Sequence, residues 1–280
     1  MLKKTLAALL AGAMILSFAA CGGRGGSDKA VGTDPGYFSS EDAAVLFAEA
    51  DLGDNPNNVD ETALTIFKNA VELNFGRETG RLEKNDTTTY YCPHGSMQTL
   101  SKYKLDYDIS GSNVTASYAI APNTEISNLV HHAGVQCGLV PTKGEPSNPE
   151  LTSKDAVLST ISELEGTLLK DALQAQYIQS VELRQEAPEK DEPKGPVYIT
   201  VTFTPDVEEK LFNNATTLDK DAPAGKVVYS AEMKLDGEGT LKTLTVCKDI
   251  QEETGAKYDL LDSKFYFKNM AGRASGEKAE

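Results

Sequence analysis

Alternating hydrophobic and polar residues predict two successive β-strands between residues 102 and 120. In residues 102–109 the odd positions are aromatic or aliphatic and the even positions are charged. After a Ser-Gly-Ser turn, residues 113–120 alternate again, with the apolar side chains now at even positions. Such alternation gives a strand one buried and one solvated face, which is typical of antiparallel sheets. The two segments therefore predict a β-hairpin.

The C-terminal third of the chain repeats this period-two pattern. It predicts strands over residues 197–204, 227–235, 241–250 and 257–268. A short helix is predicted over residues 206–213, after Pro205, and a turn at the Asp-Gly-Glu-Gly stretch 236–239. The order of these segments indicates a β-meander.

Helical periodicity occurs in three places. Residues 39–53 predict a first helix, capped by Ser39-Ser40-Glu41-Asp42 and ending near Gly53. A second starts near Asn58 and ends at Gly76, with an apolar stripe of Leu64, Phe67, Val71 and Phe75. A third, capped by Thr152-Ser153-Lys154-Asp155, carries Val157, Ile161, Leu164, Leu168 and Ala172 on one face, and Gly166 is expected to divide it.

Together these elements predict an α+β fold. Its sheet is expected to be a curved antiparallel meander whose one apolar face is packed by the N-terminal and central helices. Residues 39–270 are predicted to form one domain, with residues 39–76 as a helical subregion and residues 271–280 as a polar tail. Residues 186–196, rich in charge and proline, predict an exposed loop between strands.

The N-terminus has the pattern of a secretory signal over residues 1–20. Lys3 and Lys4 precede an apolar core that is too short to span a bilayer. Residues 18–21, Phe-Ala-Ala-Cys, resemble a bacterial lipobox, which implies acylation of Cys21 and a lipid anchor on the extracytoplasmic face of the cell membrane. Six glycines fall within residues 22–36, so residues 21–38 are expected to form a flexible tether of roughly 20 Å reach.

Charge and composition exclude some classes of binding partner. The formal net charge of −15 opposes binding to nucleic acid, so no nucleic-acid partner is expected. The chain contains no tryptophan, which counts against a carbohydrate receptor.

The series of strand, short helix, strand, turn and strands over residues 197–268, together with the lipobox, resembles the LolA/LppX group of envelope lipoprotein and lipid carriers. The resemblance implies a half-barrel whose inner sheet face, covered by helices, holds acyl chains. Six residues would then line a ligand cavity: Ile199, Val201, Phe203, Tyr229, Ala231 and Met233. The alternative is that the same side chains form a solid core against the helices.

The chain's one dense cluster of reactive residue types lies at Cys92, His94, His131, His132 and Cys137. Thiolate and imidazole groups suit zinc, so a Cys2His2 site is one interpretation. The other two interpretations are a disulfide between Cys92 and Cys137 and buried free thiols. With Cys247, the chain after the signal has an odd number of cysteines available for pairing.

No motif for a catalytic nucleophile, a zinc protease or a phosphate-binding loop is present. The sequence therefore predicts a protein without enzymatic activity or a required cofactor. Its expected partners are the membrane, through its anchor, and either an apolar small molecule or an envelope protein. The second hypothesis is a zinc-binding envelope protein that uses the cysteine and histidine cluster.

Overall fold

A computed structural model describes residues 61–92, 95–126, 143–186, 196–211, 222–236 and 240–272. The strands are β1 (Thr79–Cys92), β2 (Gly95–Asp108), β3 (Thr115–Ile126), β4 (Ile178–Gln185), β5 (Val197–Phe203), β6 (Lys226–Leu235), β7 (Leu241–Gln251) and β8 (Lys257–Ala271). The α-helices in the described part of the chain are α1 (Glu61–Phe75), α2 (Lys154–Glu165), α3 (Thr167–Ala172) and α4 (Glu208–Leu211).

Within the described ranges, eight strands form one open sheet with the order β3-β2-β1-β8-β7-β6-β5-β4. Every neighbouring pair is antiparallel. Strands that follow each other in sequence are paired, except that β3 and β4 lie at opposite edges and β1 pairs with β8. The predicted α+β fold with an antiparallel meander is thus confirmed, and the β1–β8 pairing joins its N-terminal and C-terminal halves.

One face of the sheet packs against the helices and forms the core; we call it the inner face. Because side chains alternate along a strand, the register places Leu82 of β1 beside Leu105 of β2 and Phe267 of β8 on this face. All three are buried, in one cluster with apolar residues of α1, α2 and α3. Helix α1 lies against β4 and β5.

Local signals explain how the central helices are placed. The Ser153 side chain accepts a hydrogen bond from the backbone N–H of Ala156 and so caps α2. Gly166 follows the last residue of α2 with φ = 62°, a left-handed conformation that favours glycine. The predicted division of the third helix at Gly166 is therefore confirmed.

Strand β1 was not expected from the sequence, and β4 was implied only as the strand that precedes the loop over residues 186–196. Strand β1 lacks a regular apolar face, because Lys84, Asp86 and Thr88 occupy inner-face positions after Leu82. The helix expected after Pro205 begins as a 3₁₀ turn (Pro205–Val207) and continues as α4 to Leu211.

Several predictions fall on residues that the structure does not describe. These are the signal and tether of residues 1–38, the helix over residues 43–50, and most of the loop over residues 186–196. In the part of the chain that is described, no helix is both long enough and apolar enough to cross a membrane.

Candidate functional site

The six residues predicted to line a cavity lie together on β5 and β6. Cross-strand pairs join Ile199 to Met233, Val201 to Ala231, and Phe203 to Tyr229. Each of the six is buried and belongs to the apolar cluster beneath the helices. The structure thus brings this set together on the inner face. A ligand between the sheet and the helices stays a prediction, with a core packed by the helices alone as its alternative.

Small side chains form one row across the middle of the inner face. The row runs from Val181 of β4 through Val201, Ala231, Val246 and Ser263. Ala231 stands near its centre, with a valine on either side in the neighbouring strands. The rows on both sides carry larger groups, including Met233 and Tyr229. A side chain added at Ala231 would therefore project from the sheet toward the helices.

A polar cluster interrupts the inner face where β2, β1 and β8 meet; we define the Lys84 cluster as Lys84, Asp86, Tyr103 and Ser263. Lys84 Nζ lies 3.2 Å from Asp86 Oδ2, and the Ser263 hydroxyl donates a 2.7 Å hydrogen bond to Asp86 Oδ1. The Lys84 ammonium is 5.7 Å from the centroid of the Tyr103 ring and 5.5 Å from that of Phe265. Burial, and to a lesser extent Asp86, raises the pKa of Tyr103.

A second charged group lies on the inner face where α4 covers β6 and β7. Lys248 of β7 is only 2% exposed, and its Nζ is 2.6 Å from Glu208 Oε1 of α4. The hydrogen bond from Lys248 lowers the pKa of Glu208, and a hydrogen bond from Tyr229 adds to this while partial burial opposes it. The ammonium also lies 5.8 Å from the Tyr229 ring centroid. The ion pair between Lys248 and Glu208 thus links α4 to β7 of the sheet.

The outer face carries an acidic group on β7 and β8. Burial is the largest cause that raises the pKa of Asp249 and of Asp262 to about 6, and the neighbouring Asp259 adds to both. Burial and these carboxylates also raise the pKa of the Cys247 thiol, which is a free thiol. A thiol held protonated in this way is a poor nucleophile and a poor metal ligand.

The raised carboxylate pKa values predict a dependence of stability on pH. The folded state holds protons on Asp249 and Asp262 more tightly than the unfolded chain does. The free energy of unfolding should therefore fall as the pH rises from about 4 to about 6. We expect Asp262→Asn to raise the free energy of unfolding by about 1 kcal/mol at pH 7.5 and to leave it unchanged at pH 3.5. The value at pH 7.5 takes account of screening by solvent. Urea titrations at both pH values measure the change.

Asp171→Asn, at an exposed position of α3, removes the same charge and serves as the control. An equal gain in that variant would assign the effect to net charge and contradict the local explanation.

The predicted zinc ligands lie largely outside the described residues. Cys92 ends β1, whereas His94, His131, His132 and Cys137 are not described. Within the described ranges, no group of three or more cysteine, histidine or acidic side chains is arranged to hold a metal ion. The three interpretations of the cysteines and histidines at positions 92–137 therefore stay predictions.

Sequence reasoning missed the charged groups of the inner face. The signal for Lys248 was present, because it occupies an inward position in a strand whose other inward residues include Leu244 and Val246. The signal for Lys84 and Asp86 was absent, since β1 was not recognised as a strand and its inner positions are mostly polar.

Comparisons with known proteins gave structural likenesses. No family model matches the chain, and no curated protein matches it in sequence. The crystal structure of the lipoprotein LppX from Mycobacterium tuberculosis is 11% identical, with a TM-score of 0.31, over 79% of this chain and 100% of that one. A LolA superfamily protein from Nitrosomonas europaea is 11% identical, with a TM-score of 0.18, over 78% of this chain and 95% of that one. Both belong to the group that residues 197–268 and the lipobox resemble.

Proposed function

We propose that this protein is an extracytoplasmic lipoprotein, held to the membrane by lipid on Cys21, that binds an apolar ligand without catalysing a reaction. The observation that supports the proposal is the apolar inner face of β4–β8, a surface whose only charged side chain in the described strands is Lys248. Helices lie on this one side of the sheet. Burial of a ligand's hydrocarbon against such a surface stabilises a complex by about 25 cal/mol per Å².

The lipid anchor and the ligand can be tested together on the full chain extracted gently from its membrane. Native mass spectrometry should show the chain that begins at Cys21 with added acyl mass, and should show a further species that disappears after extraction with organic solvent. A mature chain without added mass on Cys21 would contradict the proposed anchor. A chain that never carries or takes up lipid would contradict the proposed ligand.

Ala231→Phe distinguishes a ligand site from a solid core. We expect the variant, made in the full chain carrying Cys21→Ser, to unfold within about 1 kcal/mol of its parent, because the new ring occupies space that ligand otherwise fills. Its affinity for the apolar dye Nile red should fall at least tenfold. Fluorescence titration and urea unfolding give the two values.

Ser230→Phe places the same ring on the outer face of the same strand and should leave dye affinity unchanged. A solid core would give the opposite result for Ala231→Phe, because overpacking costs about 1–3 kcal/mol or more. That loss of stability, together with a parent chain that binds no dye, would overturn the proposal.

A further inference from the structure

The Lys84 cluster stands where an apolar lining would be expected. Lys84 and Asp86 project from β1 on the same face as the buried Leu82, and their partners on β8 are Phe265 and Ser263. Replacing a buried ion pair by apolar side chains is often neutral or stabilising. Packing alone therefore gives no reason for a charged pair at this position.

The pair is shielded but still reachable. The side chains of Lys84 and Asp86 are 18% and 26% exposed, so each retains some accessible surface, and the register places both on the inner face. Lys84 has three N–H donors, and its contact with Asp86 accounts for one of them. The buried ring of Phe265 and the partly exposed ring of Tyr103 flank the ammonium. The result is a polar site with the Tyr103 ring at its border.

The charges decide which ligand chemistry suits this spot. The Lys84–Asp86 pair is neutral as a unit, and the chain as a whole carries a net charge of −15, which disfavours an anionic head group. A neutral pair offers N–H donors to ester or hydroxyl oxygens and carboxylate oxygens to hydroxyl groups. Such sites reject ligands that lack the matching groups, because their own polar atoms would then be left unpaired.

We propose that the Lys84 cluster binds the uncharged, oxygen-rich head group of an amphiphile whose hydrocarbon chain lies on the apolar inner face. This inference rests on the proposed function, because it requires the hydrocarbon to bind there. Lys84 donates to a head-group oxygen, Asp86 accepts from a head-group hydroxyl, and the Ser263 hydroxyl holds the carboxylate in place. The partly exposed Tyr103 ring contacts the carbon atoms of the head group.

The test compares two probes on the full chain carrying Cys21→Ser. Nile red reports apolar binding, and competition by 1-oleoylglycerol reports head-group recognition, with oleic acid as the anionic comparison. In Lys84→Met/Asp86→Asn, which removes the charges at nearly constant volume, the affinity for 1-oleoylglycerol should fall at least tenfold and that for Nile red should change less than twofold. The matched control, Lys268→Met/Glu83→Gln, removes the 2.7 Å ion pair between β8 and β1 on the outer face and should change neither.

Each result bears on the two proposals separately. A parent that binds Nile red but prefers oleic acid, or a double variant with unchanged affinity for 1-oleoylglycerol, overturns the head-group assignment and leaves the apolar site standing. A parent that binds neither probe overturns both. If the double variant does not fold, Ser263→Ala replaces it and should weaken 1-oleoylglycerol alone by about threefold or more; an unchanged value would again contradict the assignment.

Discussion

Replacing Phe75 with alanine should lower the free energy of unfolding by about 3–5 kcal/mol, the usual cost of removing a buried phenylalanine ring. Phe75 ends α1, and its ring makes edge-to-face contacts with Phe265 and Phe267 of β8, at centroid distances of 5.6 and 5.3 Å. Such ring pairs contribute beyond their buried area. Urea unfolding of the full chain carrying Cys21→Ser, followed by circular dichroism, measures the loss.

Two variants separate this contact from a general weakening of α1. Phe75→Leu retains much of the apolar volume and should cost about 1–2 kcal/mol. Glu72→Ala, at an exposed position one turn earlier, should change stability by less than about 0.5 kcal/mol. If Phe75→Ala cost as little as Glu72→Ala, α1 would not be fastened to the sheet through β8.

Residue patterns predicted those strands that have one solvent-exposed face and one buried face. The alternation in β2 and β3 located that hairpin, and the same period located β5 to β8. These strands share a physical reason for their clear pattern, since one side of the sheet meets solvent while the other meets the helices. The class of fold followed from this without any knowledge of tertiary contacts.

Strand β1 could not be predicted from residue alternation. Its ladder of main-chain hydrogen bonds to β2 and β8 stabilises it from both sides, so its side chains need not alternate. Its partner β8 comes from the far end of the chain, and no local signal reports that pairing. The Lys84 cluster depends on this pairing, because Ser263 and Phe265 reach Asp86 and Lys84 only across the β1–β8 boundary.

The inner face thus combines two kinds of surface with different origins in the sequence. Its apolar part on β5 to β8 follows from local periodicity and could be predicted as a lining or a core. The Lys84 cluster follows from tertiary register. Specificity for a ligand, as opposed to affinity for hydrocarbon in general, would come from the second kind.

Glu208→Ala should lower the free energy of unfolding by about 2–3 kcal/mol near pH 7. The substitution leaves the Lys248 ammonium buried without its carboxylate, and removing one partner of a buried ion pair is strongly destabilising. This expected loss is smaller than for a fully buried ion pair, because the Glu208 side chain is 50% exposed. Urea unfolding measures the change, with the exposed Glu182→Ala on β4 as the control.

A double variant and a pH series test the cause. Lys248→Met/Glu208→Ala removes both charges and should recover stability to within about 1 kcal/mol of the parent. Because Lys248 holds the pKa of Glu208 below its ordinary value of 4.5, the pair stabilises the fold above that pH. This contribution is lost as pH falls through the folded-state pKa. The difference between parent and Glu208→Ala should therefore shrink below about pH 4. A difference that stays constant with pH, or a double variant no more stable than Glu208→Ala, would contradict this role of the ion pair. It would show that residues 205–211 are held by apolar contacts, such as those of the buried Val207 and Leu211.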